Sequence, residues 1–169
     1  MLRKQVLIAL GMLAAVVVCL VVASRALGSH DGGAVATAER LALAGRWLLV
    51  PGFCLLAGLG LTANQRFLRA DAIDGGPAAK PGFLEINLRY NQNTLEQTVL
   101  AAIAWTGLAL TVAPRDLGLI PALAALFAAG RAAFFLGYLY APWARAFGLG
   151  LTFYPTLAAM IWLAARPFA

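Results

Sequence analysis

From Gln5 to Ser24 the chain carries no charged residue, and comparable apolar runs recur around residues 41–64, 98–113, 117–140 and 145–165. A helix crosses about 30 Å of hydrocarbon with roughly 20 apolar residues at 1.5 Å rise each. Several of these runs reach or approach that length, so membrane spans follow directly. The expected fold is therefore an all-α integral membrane protein. Composition agrees: 62% of the residues are hydrophobic, 12% are charged, and the mean hydropathy is +0.82.

The net charge of +6 does not point to nucleic acid, because the basic residues sit at the ends of apolar segments and form no stripe. Membrane headgroups are the expected counter-charge. Cys19 and Cys54 lie in separate apolar runs, and His30 is the single histidine, so neither a disulfide framework nor a metal-ligand set is expected.

The first span, Gln5 to Ser24, is preceded by Arg3 and Lys4 and followed by a polar stretch, Arg25 to Glu39. It reads as an uncleaved anchor, with a signal peptide as the alternative. Residues 1–40 thus form an N-terminal anchor and linker, and 41–169 a four-helix membrane domain. Within the latter, Leu41 to Asn64 contains Pro51, and a polar loop from Gln65 to Gly82 follows. A third helix runs from Phe83 to Ala113. The Pro114-Arg115-Asp116 turn leads to Leu117–Tyr140, and the last span covers Arg145 to Ala165 with Pro155 inside it. With the N-terminus inside, that side gathers Arg3, Lys4, Arg66, Arg69, Lys80, Arg89 and Arg145, against Arg25, Arg40, Arg46, Arg115 and Arg166 outside. The Ala/Leu/Arg richness and short loops match a bacterial inner-membrane protein with a cytoplasmic N-terminus.

The third helix enters its apolar run still carrying charge. Arg89, Asn93 and Glu96 are spaced by four and three, which places them within an arc of roughly 60° on one face. Glu96 lies two turns beyond Arg89, and Arg131 sits at similar depth in the next helix, so an ion pair between Glu96 and Arg131 is expected. Arg131 and Tyr138 share a face, and Arg145 opens the last span at the level of Arg89. Arginines with an Asn, a Glu and a Tyr suit a small ligand bearing carboxylates and an amine, and an arginine over a bound thiol would stabilise its thiolate.

Arg89-x-x-x-Asn93-x-x-Glu96, and Arg131-Ala-Ala-Phe134-Phe-Leu-Gly137-Tyr138 with Arg145 seven residues on, resemble two helix motifs of the membrane-associated proteins of eicosanoid and glutathione metabolism (MAPEG), among them the microsomal glutathione transferases. The resemblance spans roughly Leu41 to Ala165. It implies a left-handed four-helix bundle that forms a homotrimer, binds glutathione between subunits on the cytosolic side, and meets a lipophilic small molecule from the bilayer. Arg69, Arg89, Asn93, Glu96 and Tyr138 would then hold glutathione, and Arg145 would stabilise its thiolate, for transferase or peroxidase chemistry. The N-terminal span has no counterpart in four-helix members. Two further departures are Phe134, where a tyrosine is usual, and Gln97, where an aromatic hydroxyl often follows the glutamate. A non-catalytic lipid-binding or scaffold protein on the same fold is the alternative.

Overall fold

The computed structural model describes residues 1–75 and 82–166, and over these it is helical with no strand. Five helices follow one another: α1 (Leu2–Ala26), α2 (Thr37–Phe67), α3 (Phe83–Thr111), α4 (Leu119–Tyr140) and α5 (Ala146–Ala164), with a short 3-10 turn, Pro114–Asp116, between α3 and α4. The protein is an all-α integral membrane protein: a four-helix bundle, α2 to α5, with an additional N-terminal helix. Part of the expected polar loop, residues 76–81 including Lys80, lies outside the described residues, as do residues 167–169.

Among the described residues, four stretches are long and apolar enough to cross a membrane: Leu2–Ala26, Thr37–Phe67, Pro114–Tyr140 and Ala146–Ala164. The helix α3 is long enough, at about 1.5 Å per residue, but its first half is too polar to qualify. Its position explains the tolerance. It packs against α2, α4 and α5, and its inner face buries Asn87, Asn91, Thr94 and Gln97 before passing to Ala101, Ala104, Trp105 and Leu108. Those last residues join Ala44, Ile120, Ala124, Phe127 and Ala159 in the main apolar core, where Trp105 meets the Phe127 ring edge-on at 6.1 Å.

Close approach at glycine sets the helix contacts. The Gly58 carbonyl of α2 accepts from Asn87 Nδ2 (2.9 Å) and Asn91 Nδ2 (3.2 Å) of α3. Both amides also donate to Thr62 Oγ1, at 2.6 and 2.8 Å. A side chain at Gly58 would run into Asn91 Oδ1 and the Tyr90 ring. Between α4 and α5, Gly130 and Gly148 face each other's backbones in the same way.

Helix α1 lies along α5, with Gly11 against Phe147 and Ala15 against Gly150. Ala15, Cys19, Leu126 and Leu151 form its buried seam. It stops where Gly28 adopts a positive φ of 68°. The linker then docks on the α3–α4 turn: Gly28 N–H donates to Asp116 Oδ1 (3.0 Å) and His30 N–H to the Arg115 carbonyl (3.1 Å). Arg40, in the first turn of α2, donates through Nη1 to the carbonyls of Ala109 (2.8 Å) and Val112 (2.9 Å), satisfying the end of α3.

Candidate functional site

Near the α4–α5 turn the start of α3 and the end of α4 diverge and leave a groove of about 580 Å³. Glu85, Ile86 and Arg89 of α3 form one wall; Tyr138, Leu139 and Tyr140 of α4, with Ala141, Pro142 and Arg145 of the turn, form the other. Arg145 arrives there because the chain turns after Tyr140 and re-enters a helix at Ala146, with the carbonyl of Arg145 accepting from Leu149 N–H. Its guanidinium lies over the Tyr138 ring, 4.7 Å from the centroid, and 5.9 Å from that of Phe134. Arg89 reaches the Tyr138 side chain from the opposite wall. Its Nε and Nη2 both donate to Glu85 Oε1, at 3.1 and 2.6 Å. Arg89, Tyr138 and Arg145, three of the residues singled out from the sequence, therefore share one cationic groove.

The others are placed differently. Arg131 is buried at 1% exposure. Its Nη1 donates to Asn93 Oδ1 and its Nη2 to Thr152 Oγ1, each at 2.7 Å. Its guanidinium lies against the rings of Phe134 (4.9 Å) and Phe127 (5.5 Å). The expected ion pair between Glu96 and Arg131 is not formed, and among the described residues Arg131 makes no ion pair at all. Glu96 is instead exposed on the outer side of α3, where its Oε1 accepts from Gln92 Nε2 at 2.9 Å. The geometry of the arc explains this. Asn93 stands at the edge nearer α4, and Glu96 is rotated about 60° away from it, so the amide takes the arginine and the carboxylate faces outward.

Arg69 lies just beyond α2, in a bidentate pair with Asp71 (3.1 and 2.9 Å); hydrogen bonding to Asp71 pushes its guanidinium pKa up. It does not line the groove. Phe134 is buried between Arg131 and Arg145, and offers both guanidinium groups a ring face and no hydroxyl. Gln97 points inward with its Oε1 unpartnered, away from the face that carries Arg89 and Glu96.

Sequence reasoning missed Glu85, although its signal was present: a glutamate four residues before an arginine on a helix is a favourable pair. It also missed the inner stripe Asn87, Asn91, Thr94 and Gln97, whose spacing of four, three and three marks a second polar face of α3.

Fold and groove together define a class: a helical membrane protein with a cationic, hydrogen-bonding recess at one end of its bundle. The chain belongs to the MAPEG family, whose sequence profile matches residues 5–165, a stretch that includes α1 as well as the four helices after it. It is thus a membrane protein of the family associated with eicosanoid and glutathione metabolism. No curated protein and no solved structure was found to match it.

Proposed function

We propose that the protein is a glutathione-dependent transferase or peroxidase-like enzyme that acts on a lipophilic electrophile dissolved in the bilayer. The observation that carries this reading is the groove in which Arg145 and Arg89 face the Tyr138 ring and hydroxyl from two sides. In this reading Arg89, with Asn93, Glu96, Tyr138 and Arg69, holds glutathione, and Arg145 lies beside its sulfur. A guanidinium there favours the thiolate and lowers the thiol pKa toward neutrality. The sulfur then forms a bond to an electrophilic carbon, and either a leaving group departs with the electron pair or, on addition to an activated double bond, the adjacent carbon takes a proton.

Glu96 lies on the outer side of α3, and neither it nor Asn93 lines the groove, which supports a site completed by a neighbouring copy in a homotrimer. The charge bias favours a cytoplasmic N-terminus, which puts Arg89 and Arg145 on the side where glutathione is kept, in a bacterial inner membrane.

Phe134 and Gln97 favour a second reading, a non-catalytic lipid-binding or scaffold protein. One lacks the hydroxyl and the other is turned inward, so neither donates a hydrogen bond to a ligand in the groove. The experiment that separates the two is the thiolate difference absorbance of the detergent-purified protein with millimolar glutathione, recorded alongside its thermal midpoint. A rise in both, lost in Arg145→Ala, supports the enzyme; no absorbance change and no stabilisation supports the scaffold.

A further inference from the structure

Cys54 is a nucleophile that the glutathione reading leaves idle. It stands near the middle of α2, within a stretch apolar enough to span the membrane, and lines a cavity of about 410 Å³ between α2 and α4. Tyr90 of α3 borders the same space, and its hydroxyl donates to the Cys54 carbonyl at 3.3 Å, which ties that turn of α2 in place. Phe53 and Ala57 of α2 and Ala128 and Ala132 of α4 are exposed at the rim. A recess of this size, open between two membrane helices and edged by apolar side chains, draws its contents from hydrocarbon.

Arg131 lines this cavity too. Two of its guanidinium nitrogens are taken, Nη1 by Asn93 and Nη2 by Thr152, but its Nε–H has no partner among the described residues, although the residue is almost wholly buried. A buried donor left unused is costly, more so on a charged group. The other cysteine is placed differently: Cys19 is buried in the α1–α5 seam, with its thiol directed at the Leu151 carbonyl, whereas Cys54 is half-buried. A thiol and an unused charged donor therefore border one apolar space.

That pair suits a membrane-dissolved carbonyl compound with a conjugated double bond. We infer that Cys54 is a covalent modification site for lipophilic α,β-unsaturated carbonyl compounds, and that Arg131 holds their carbonyl oxygen. The tail fills the apolar cavity, and the oxygen accepts from Arg131 Nε–H. The Cys54 sulfur forms a bond to the β-carbon, the electron pair of the double bond moves through to the oxygen, and the guanidinium stabilises the enolate; the thiol proton ends on the α-carbon. Nothing leaves, and no oxidant or reductant is consumed. The step uses the protein's own sulfur and is independent of the groove around Arg145.

The test labels the full chain in washed native membranes, free of glutathione, with octyl vinyl ketone, and maps the adduct by peptide mass spectrometry. Cys54 should be labelled at least about tenfold faster than Cys19, and a charged, membrane-impermeant maleimide should label neither in the same time. Arg131→Met combined with Asn93→Leu should slow the Cys54 reaction about tenfold or more, the scale of one charged hydrogen bond lost from the transition state. Arg131→Lys, which keeps the charge and a donor, should recover part of that rate. A second comparison needs no variant. Relative to a free alkanethiol in the same membranes, Cys54 should react about tenfold faster or more with the vinyl ketone and no faster with octyl iodide, which has no oxygen for Arg131 to hold. An unlabelled Cys54, equal labelling of Cys54 and Cys19, maleimide labelling of Cys54 at the vinyl ketone's rate, or the same gain with both alkyl probes overturns the inference. The glutathione reading survives each of these results, because no glutathione takes part.

Discussion

Among the described residues, Arg131 carries its charge into the bundle with neutral partners: the amide of Asn93, the hydroxyl of Thr152 and the faces of two phenylalanines. A buried guanidinium without an anion is costly, but its removal strands the groups that bond it. Thr152 Oγ1 would retain its own donation to the Leu149 carbonyl, whereas Asn93 Oδ1 would lose the single bond described for it. Arg131→Ala should therefore destabilise the detergent-purified protein by about 2–5 kcal/mol, from one stranded amide plus the cavity left under Phe134. Arg131→Met combined with Asn93→Leu should recover more than half of that, because polar group and partner leave together. A double variant no better than Arg131→Ala, read by thermal or denaturant midpoint, would show that the charge itself is needed. The sequence revealed that Arg131 must be buried and partnered. It did not reveal which residue of the Arg89/Asn93/Glu96 arc faces it, since the rotation of one helix against another is set by packing at Gly58 and Trp105 and not by local spacing.

Helix α3 shows at the element scale why its neighbours matter more than its own hydropathy. Its polar first half is held by α2 through the knot of Gly58, Thr62, Asn87 and Asn91. Gly58→Ala should cost about 1–3 kcal/mol, because the new methyl group meets Asn91 Oδ1 and the Tyr90 ring, and the Asn91 side chain must shift from its hydrogen bonds to make space. Gly60→Ala, two residues on and on the open side of the same helix, meets nothing within 4 Å and should be neutral or stabilising by up to about 1 kcal/mol. Equal losses at the two positions, measured as midpoints in the same detergent, would remove the close contact as the cause. At the end of α3, Arg40→Ala leaves two terminal carbonyls without their donor and should cost about 1–2 kcal/mol. The five helices were legible from apolar run length, proline and glycine. The role of Arg40 was not, because its partners lie some seventy residues away in the chain, and a basic residue ahead of an apolar run reads the same whether it meets headgroups or a helix end.

For the whole molecule, the outer side of α3 is the surface that a single chain leaves unresolved. Glu96 is exposed there, about 10 Å further along the helix than Arg89, and around it Leu88, Leu95, Val99 and Ile103 are exposed as well. A carboxylate facing hydrocarbon costs on the order of 2.5–3.5 kcal/mol on insertion scales, and lipid offers Glu96 no donor beyond Gln92. The opposite flank is already occupied, because α1 covers α5 with the seam of Ala15, Cys19 and Leu151. A second copy that packs on α3 would bring donors to Glu96 and place it at the border between two chains, as the proposed glutathione site requires. With Cys19 and Cys54 replaced by alanine, cysteines introduced at Leu95 or Val99 should cross-link chain to chain in native membranes, while one at Leu13 on the exposed side of α1 should not. The cross-linked material should run as a discrete small oligomer, a trimer on the reading above. If Leu95 and Val99 fail to cross-link and the protein stays monomeric in mild detergent, Glu96 faces lipid, the groove of Arg89, Tyr138 and Arg145 must work within one chain, and the between-subunit site is lost while the groove itself stands.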